Sequence, residues 1–527
     1  MDDLIGASGA RLYDEVPYPE LSHELSHPGH MGAVAHLLGL DPAPPEACRV
    51  LEIGCANGYN LIPMAEALPG TLFVGIDYSA KQVAAGQAVI EALGLRNVEL
   101  QYRDLTSIGE SDGKFDYIIA YGLYSWIPAP VRDRLIALLR ANLSENGIGY
   151  LSYDVYPGWH QMRKMREMML FHTRRIEDPL ERVAAAKDLV AFLAAAEPAG
   201  EGGRDSFVQA YARSLEGRAD GFLLHDELAP VNDPVYFHEF ASHLEEHGLA
   251  YLAEADFPEV LPSRLGEDVT KRLQSIARSL VEREQYMDFL RDRGFRQSLV
   301  SHVDNVRQRD LTVDSGRYRR FFVGSRASPV GVVDAASSEI GRFQIPGGLQ
   351  LATNHPVSKA AMLVLAAAFP LTLAFDDLFT RAAGQVYGEA APAAGKVAED
   401  RHALAGTLLR GFSSDRRLVS LSLAPPGFVT TVSARPRASR LARYRASQGQ
   451  RVVVNLAHEQ ISLDPVSFAL MPVLDGHHTR AELLEHLATV QREGALASST
   501  PDAAKADVEA DLHSSLAALA GHALLMG

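Results

Sequence analysis

The chain has 527 residues, which at about 100–200 residues per domain predicts two to four domains. Hydrophobic residues make up 47% of it, enough for each domain to bury a core. The 50 basic and 66 acidic side chains give a net charge of −16, which disfavours a phosphate backbone as the main partner. The two cysteines, Cys48 and Cys55, exclude a disulfide framework and a cysteine-only zinc site.

Hydropathy and the first residues of the sequence predict the cellular location of the protein. The most apolar stretch, Ala360 to Phe375, is broken by Pro370, so it predicts a buried helix rather than a membrane span. The sequence opens with Met1-Asp2-Asp3, which is acidic where a secretory signal is basic. Together with the reduced cysteines, this predicts a cytoplasmic protein without membrane insertion.

Strand-like and helix-like segments alternate in the first third of the chain, a pattern typical of a parallel sheet with crossover helices. Five strands are predicted there, over Arg49–Ile53, Thr71–Asp77, Val98–Arg103, Tyr117–Ala120 and Gly149–Tyr153. Helical composition from Gln161 to Asp233 then predicts an insertion. Strands over Leu249–Glu254 and Phe295–His302 complete the sheet, with one long helix over Glu267–Arg293 between them.

The second half of the chain has mixed α+β character. After a charged connector, Asp304–Val330, the predicted elements are helices over Lys359–Phe369 and Phe375–Ala383, a linker over Gly388–Arg401, strands over Leu418–Leu423, Phe428–Val432 and Val452–Leu456, and a terminal helix pair. A cluster of arginines lies among them: Arg435, Arg437, Arg440, Arg443, Arg445 and Arg451. The helices and strands around these arginines predict a winged-helix-like module. Three roles are open for the arginines there: to bind nucleic acid, to bind an acidic or extended peptide, or to form a salt-bridged face.

The strongest motif is a glycine turn between the first strand and the next helix. It reads Glu52-Ile53-Gly54-Cys55-Ala56-Asn57-Gly58. Gly54 lets the backbone turn sharply and approach a ligand, and the following helix directs its free N–H groups at that ligand. The spacing differs from the GxGxxG of dinucleotide sites, and Glu52 suits an ammonium group, which pyrophosphate lacks. The motif therefore favours an amino-acid-bearing nucleoside.

Two aspartates extend this motif at the ends of the next strands. Asp77 ends the second strand, where a carboxylate accepts hydrogen bonds from ribose hydroxyls, and Asp104 ends the third, beside the expected adenine. Taken in order, these pieces resemble the S-adenosylmethionine-dependent methyltransferases of the Rossmann-like class. The resemblance implies an α/β, seven-stranded sheet that ends in an antiparallel pair, with S-adenosylmethionine as cofactor. The predicted cofactor-binding residues are Glu52, Gly54, Ala56, Asn57, Gly58, Asp77, Tyr78, Ser79, Asp104, Leu105, Tyr121 and Tyr13.

Further segments resemble a narrower family, the bacterial methyltransferases that carry a methyltransferase regulatory domain. The matching segments are 115–128, 152–159, 236–240, 285–290 and 295–297. The resemblance extends to rickettsial protein-lysine methyltransferases, and it implies a protein or peptide acceptor. Two positions depart from that pattern, since Tyr121 stands where the family usually has His and Asp154 where it has Asn. An acceptor other than lysine therefore stays open.

The residues expected around the methyl group are mostly aromatic. At pH 7 a lysine loses its proton at a cost of about 4.6 kcal/mol, and desolvation by an aromatic wall lowers this cost. Asp154, Tyr121 and Tyr153 are the predicted catalytic residues, with Asp154 orienting the acceptor amine or accepting its proton. The predicted substrate-binding residues are Tyr124, Trp126, Tyr156, Trp159 and Tyr18. Tyr13 and Tyr18 also mark a segment before the first strand that is expected to fold over the cofactor as a lid.

Two motifs are interpreted as coincidences. His23-Glu24-Leu25-Ser26-His27 matches HExxH, but Pro19 and Pro28 flank it and no long helical periodicity supports it, so no metal is expected. It is interpreted instead as a polar cap before a helix. The segment Asp154-Val155-Tyr156-Pro157 has the wrong order for an amino-methylating DNA enzyme and follows the fifth strand.

The predicted organisation assigns each part of the chain a role. The divisions are 1–44, an N-terminal lid; 45–160, the cofactor-binding core; 161–233, a helical insertion; 234–305, completion of the sheet; 306–400, an α+β middle domain; and 401–527, a winged-helix-like domain. The large appended region favours methylation of a nitrogen, lysine first, on a protein or peptide. A small-molecule or natural-product methyltransferase and a non-catalytic cofactor-binding regulator are the alternatives, and a homodimer stays open.

Overall fold

A seven-stranded sheet in the order β3-β2-β1-β4-β5-β7-β6 is the largest element of the computed structural model, which describes residues 12–196, 206–261, 265–390, 392–492 and 505–527. The strands are β1 Arg49–Ile53, β2 Leu72–Asp77, β3 Val98–Tyr102, β4 Phe115–Ala120, β5 Leu143–Asp154, β6 Leu249–Glu254 and β7 Phe295–His302. β1 to β5 pair in parallel, whereas β7 runs antiparallel to both β5 and β6. The predicted bounds of β1, β6 and β7 are confirmed, and β5 starts earlier than predicted because Leu143 already pairs with Phe115.

Helices cover both faces of this sheet, as the buried aliphatic strands require. Those between the strands or inserted among them are Pro28–Leu37, Leu61–Ala67, Ala80–Leu93, Ala129–Asn142, Trp159–Thr173, Pro179–Ala196, Phe207–Ser214, Phe237–Glu246, Glu267–Ile276 and Leu280–Arg291. On one face, Ile136 and Phe240 pack with Leu151 of β5. On the other, Met31 and Tyr117 belong to a core that continues into the second half of the chain.

That second half begins with residues that share this core. Its helices are Pro356–Ala368, Phe375–Tyr387 and Ala394–Ser414. Two three-stranded sheets accompany them, one of Phe322–Gly324, Leu373–Ala374 and Ser420–Ser422, the other of Ser328–Pro329, Gly341–Gln344 and Gln350–Thr353. Phe343, Leu365 and Leu404 are buried in one cluster with Tyr117 and Tyr150 of the large sheet. The catalytic sheet and the middle region are therefore joined by a continuous apolar core.

The last part of the chain is smaller and has its own core. Its helices are Arg440–Ser447, Pro465–Leu470, Arg480–Arg492 and Lys505–Gly521. Its short strands pair as Val452–Val454 with Gln460–Ser462 and Arg437–Ala438 with Leu525–Met526. Leu470, Leu483 and Leu516 lie in its buried cluster.

Several predicted elements are wrong in type or extent. The single helix over Glu267–Arg293 is two helices, because Ser279 caps the second by accepting a hydrogen bond from the Glu282 N–H. The linker over Gly388–Arg401 runs into the helix Ala394–Ser414, whose Leu404 and Leu408 are buried. The connector Asp304–Val330 contains the central strand of a sheet, Phe322–Gly324.

The strand predicted over Phe428–Val432 is also wrong. These residues form bends and irregular backbone, and Val429 makes a single backbone hydrogen bond to the Leu525 carbonyl. Apolar composition alone predicted a strand there, but no described segment runs alongside these residues as a ladder partner. Across the described parts of the chain, no helix is long and apolar enough to cross a membrane.

A buried ion network fixes the antiparallel end of the large sheet. Arg296 of β7 is fully buried and donates to both carboxylate oxygens of Asp288, at 2.9 and 2.7 Å. It also donates to Glu254 of β6 at 2.6 Å, and its guanidinium lies 3.9 Å from the centre of the Phe237 ring. The guanidinium of Arg296 thus links two strands to two helices. The residues just before Arg296 in the sequence reach the cavity described below.

Replacing Arg296 by Met is expected to destabilise this unit by about 3–5 kcal/mol, because the three buried carboxylates of Glu254, Glu284 and Asp288 each lose an ion-pair partner. Both tryptophans, Trp126 and Trp159, lie in this part of the chain, so urea unfolding followed by tryptophan fluorescence reports on it. The control is Arg307→Met, which removes an ion pair whose arginine side chain is 74% exposed and is expected to cost less than about 1 kcal/mol. Equal effects of the two substitutions would contradict the role of the buried network.

Candidate cofactor and acceptor site

A cavity of about 1650 Å³ opens at the carboxyl ends of the parallel strands. Small-molecule pockets usually measure about 300–1,000 Å³, so this one has room for two ligands side by side. Its walls come from the turn after β1, the ends of β2, β4 and β5, the N-terminal segment, and the insertion that precedes the helix Phe237–Glu246.

The turn after β1 has the tight geometry predicted for a nucleoside-binding loop. Gly54 has a φ of +74°, and its N–H donates to the Ile76 carbonyl at 2.8 Å. Ala56 also has a positive φ, and its N–H donates to the Asp77 carboxylate at 2.8 Å. Gly54, Ala56 and Asn57 line the cavity, whereas Gly58 lies behind the loop, where a Cβ would approach Leu100 to 2.8 Å. Gly58, which was predicted among the cofactor-binding residues, therefore shapes the loop from outside the cavity.

Asp77 lies at the centre of this half of the cavity. Its other carboxylate oxygen accepts a hydrogen bond from the Ser79 N–H at 2.8 Å. Burial raises the pKa of Asp77, and the backbone N–H donors of Ser79 and Ala56 oppose that rise. Tyr78, Ser79, Asp104 and Leu105 line the same side of the cavity. This half has the hydrogen-bonding groups that a nucleoside needs.

Glu52 places a buried carboxylate at the base of the cavity. One oxygen accepts a hydrogen bond from the Asn60 amide at 2.8 Å, and the other is buried without a hydrogen-bond partner among the described residues. Burial raises the pKa of Glu52 to about 8. An unpaired buried carboxylate oxygen fits an ammonium group, so the residues present suit the amino-acid end of S-adenosylmethionine.

The N-terminal segment forms another wall of the cavity. The ring of Tyr13 stacks on His225 with centroids 4.0 Å apart, and Tyr18 contacts the edge of Phe222. His225 donates from Nε2 to the Val16 carbonyl at 2.6 Å. The segment is thereby fixed to the insertion, and both predicted lid tyrosines line the cavity.

Two carboxyl groups face the other half of the cavity. Asp154, at the end of β5, is only 2% exposed and accepts a hydrogen bond from the Asn232 amide at 2.8 Å. Burial raises the pKa of Asp154 well above its usual value. Burial and the neighbouring Glu227 raise the pKa of Asp226 to about 7. Both groups can therefore hold a proton near neutral pH.

Aromatic side chains surround these carboxyl groups. Trp126 donates from its indole N–H to the Asp226 carbonyl at 3.4 Å, and Trp159 donates to the Asn232 side chain at 2.9 Å. Tyr121 stacks on His23, with ring centroids 3.4 Å apart, and burial raises the pKa of Tyr121 to about 12. The acceptor half thus combines aromatic faces with acidic groups.

Three predicted aromatic site residues lie outside the cavity. Tyr153 is fully buried on the opposite face of β5, where it stacks on Phe240 at 4.0 Å and its hydroxyl bonds with Ser298. Tyr124 points to the same core and its hydroxyl meets His243 at 2.9 Å, while Tyr156 stacks on His160 at 4.3 Å. Adjacent strand residues alternate between faces, so Asp154 and Tyr153 cannot both reach one cavity.

The structure adds site residues that the sequence did not single out. They are His23, His225, Asp226, Glu227 and Asn232. His23 belongs to the HExxH match, in which Glu24–Ser26 form one 3₁₀ turn and His27 caps the next helix by accepting from the Gly29 N–H. Burial lowers the pKa of His23 to about 3, so it faces Tyr121 as a neutral ring. The two histidines do not share the helix face that the zinc motif requires.

The C-terminal arginines are largely engaged within the chain. Arg445 donates to both carboxylate oxygens of Glu20 at 3.0 Å, and Glu20 accepts from the Asn57 amide at 2.5 Å. Arg440 donates to the Leu93 carbonyl and its N–H to Glu66. The helix that holds both arginines, Arg440–Ser447, therefore packs on the cofactor half of the cavity instead of presenting a free basic face.

A second contact from the C-terminal part reaches the base of the cavity. His458 is buried and bonds through Nε2 to the Asn60 side-chain oxygen at 2.8 Å. Asn60 in turn donates to Glu52, so His458, Asn60 and Glu52 form one chain of hydrogen bonds. His458 and Asn60 are 398 positions apart, so a distant part of the sequence supports the cofactor half.

Three family models match separate parts of the chain. Residues 50–147 match a methyltransferase domain, 219–302 a predicted methyltransferase regulatory domain, and 434–525 the C-terminal winged helix domain of PKMT. The last match confirms the winged-helix-like module, and with the sheet topology it confirms the predicted α/β fold class.

Two relatives of this chain are proteins of Rickettsia prowazekii. The uncharacterized protein RP789 of Rickettsia prowazekii (strain Madrid E) is 29% identical over 504 residues, which span 92% of this chain and 88% of the relative. The uncharacterized protein RP028 of the same strain is 34% identical over 228 residues, which span 43% of this chain and 91% of the relative. The structure of PKMT2 from Rickettsia typhi in complex with AdoHcy matches 97% of this chain and 100% of that chain, with a TM-score of 0.82 at 25% identity.

The affinity for S-adenosylmethionine is expected to rise between about pH 6 and about pH 7.5. Below its pKa of about 8, Glu52 is mainly protonated, and binding an ammonium group requires the carboxylate. The dependence is up to about tenfold per pH unit. Calorimetric titration measures it, with Glu52→Gln expected to weaken binding and flatten the pH dependence. The control Glu99→Gln, on an exposed residue of β3, should keep the wild-type profile. A profile unchanged in Glu52→Gln would contradict this assignment.

The Arg445–Glu20 contact is expected to support cofactor binding through Asn57. Arg445→Met keeps an apolar stem over Tyr59 but removes a charge-assisted pair, so cofactor affinity should fall. A double-mutant cycle with Glu20→Gln should give a coupling of about 1–3 kcal/mol. Arg443→Met is the matched control, because Arg443 lies on the same helix and donates to the Pro472 carbonyl within the C-terminal part. Additive effects of the two substitutions would exclude the coupling.

Proposed function

Because the chain belongs to the class I S-adenosylmethionine-dependent methyltransferases that carry a methyltransferase regulatory domain, we propose that it methylates a nitrogen, the side-chain amine of lysine, on a protein or peptide. Methyl transfer from S-adenosylmethionine is the activity of that class. The nitrogen acceptor and its macromolecular carrier are the proposal.

The main support for a nitrogen acceptor is the pair of carboxyl groups in the acceptor half of the cavity. Asp154 and Asp226 both line the cavity, and the charge of Asp226 contributes to the raised pKa of Asp154. A protonated amine bound between these groups would favour their ionised forms, so the cavity attracts it. A carboxylate whose pKa has been raised is also a better acceptor for the proton that the amine must lose. An alcohol acceptor has no charge to attract.

The aromatic side chains complement this function. Trp126, Trp159 and Tyr121 line the cavity, where aromatic rings can stabilise an ammonium ion by cation–π interaction and exclude water from it. Desolvation also lowers the pKa of a lysine amine, which favours the neutral nucleophile. When bound, S-adenosylmethionine supplies an electrophilic methyl group on its sulfonium. The chain itself then orients the amine, holds its proton at Asp154 and keeps the site dry.

A macromolecular acceptor is supported by the size of the cavity and by similarity to PKMT2. The volume of about 1650 Å³ leaves room for a side chain beside the cofactor. The solved relative matches this chain across 97% of its length, so the likeness includes the appended domains and not only the catalytic sheet. We expect these domains to present a polypeptide to the site.

The test is transfer of a radiolabelled methyl group into a lysate of the native host, with protein and small-molecule fractions counted separately. Label is expected in protein and, after hydrolysis, in methylated lysine. Asp154→Ala should lower turnover about 10²-fold or more while cofactor affinity stays within about twofold, because the residue acts on the amine. Asp116→Asn is the control, since Asp116 bonds with Arg49 and Ser144 away from the cavity.

Three results would overturn parts of the proposal. Label confined to the small-molecule fraction would replace the polypeptide by a metabolite or natural product. Label in a protein residue other than lysine would change the acceptor group. Cofactor binding without any transfer would favour a non-catalytic regulator.

A further inference from the structure

Two histidines and an aspartate converge on the outer side of the sheet, away from the cavity. His243 lies in the helix Phe237–Glu246 and His247 caps its end, so their spacing of four residues places them on one face. Asp133 comes from the neighbouring helix Ala129–Asn142. Its Oδ1 lies 2.9 Å from Nε2 of His247 and 3.5 Å from Nε2 of His243.

We propose that His243, His247 and Asp133 form a binding site for a divalent transition metal of the zinc class. Their three ligand atoms lie within 4.8 Å of one another, and this is the one such group in the described ranges of the chain. Ligands 2.0–2.1 Å from a tetrahedral ion are separated by about 3.4 Å. The two distances to Asp133 lie on either side of that value. These two separations are therefore compatible with a bound ion.

The chemistry of the three ligands selects the class of ion. Imidazole nitrogens with one carboxylate suit zinc and its neighbours in the first transition row, whereas magnesium and calcium prefer oxygen ligands alone. Asp133 is 63% exposed at its side chain, so an ion can enter from solvent and keep a water as its fourth ligand.

A further contact fixes the orientation of one histidine. Nδ1 of His243 lies 2.9 Å from the hydroxyl of Tyr124, which leaves Nε2 pointing at Asp133. Metal-binding histidines usually use one nitrogen for the ion while the other makes such a bond. The guanidinium of Arg132 lies 4.9 Å from the centre of the Tyr124 ring and pairs with Asp233 at 2.8 Å. Tyr124, which was predicted in the substrate site, thus supports the proposed metal site.

The site would join two parts of the enzyme. Asp133 lies within the residues that match a methyltransferase domain, and both histidines lie within those that match the regulatory domain. A bound ion would cross-link the helices of these two parts. This role is independent of the proposed function, because the three ligands lie outside the residues that line the cavity.

The test is titration of the metal-free full chain, prepared with a chelator, with Zn²⁺ by calorimetry and with Co²⁺ by visible absorption. We expect one ion per chain and a Co²⁺ spectrum typical of tetrahedral nitrogen and oxygen ligation. His247→Ala and Asp133→Asn should each weaken binding at least about tenfold, and Tyr124→Phe should weaken it less. Zn²⁺ should also raise the thermal unfolding temperature of the wild type but not of His247→Ala.

The control is His478→Ala, which removes a surface histidine that pairs with the single carboxylate of Asp475. It should bind the metal as the wild type does. Because His247 and Asp133 are partly exposed, their variants are expected to fold, and circular dichroism with intact cofactor binding verifies this. Absence of saturable binding in the wild type, or equal binding by wild type, His247→Ala and Asp133→Asn, would overturn the proposal.

Discussion

Parallel pairing of β1 with β2 on one side and β4 on the other is the constraint from which the active site follows. It brings the carboxyl ends of these strands to one edge, so that the loop after Ile53 meets Asp77 directly. The two N–H groups that bind the Asp77 carboxylate belong to Ala56 and Ser79, which follow different strands. One buried carboxylate thereby holds two loops in the positions a nucleoside needs. The acceptor half depends on the same edge, because Tyr121 follows β4 and Asp154 ends β5.

Acidic side chains line both halves of the cavity, and burial raises their pKa values with a different consequence in each half. Glu52 and Asp77 provide hydrogen-bond acceptors and a site for an ammonium group, and their burial makes them costly to ionise before a ligand arrives. Asp154 and Asp226 have raised pKa values for the same reason, and there the rise suits proton transfer. Desolvation is the largest cause of the raised pKa in all four carboxyl groups, and in the function that we propose it favours binding in one half and proton transfer in the other.

The sequence of a single strand and of the turn after it predicts the part of the site that those residues form themselves. β1, its glycine turn and Asp77 are readable because a buried strand followed by Gly54 has few other conformations. Tyr153 and Asp154 show the limit, since both stand at the end of β5 and only the pairing of the strand decides which side chain faces the cavity. His225, Asp226 and Asn232 carry no pattern of their own. They reach the site because the insertion folds back over it, which depends on contacts with the distant Tyr13 and Tyr18.

The contacts of Arg445 and His458 with the cofactor half also set an order of events during synthesis. The ribosome completes the methyltransferase sheet, which ends at His302, well before it reaches either residue. Until Arg445 meets Glu20 and His458 meets Asn60, the N-terminal wall and the base of the cavity each lack one support. The emerging chain therefore passes through a stage with a formed sheet and an incompletely braced site. We therefore expect high-affinity cofactor binding only after the C-terminal domain has folded and both contacts have formed.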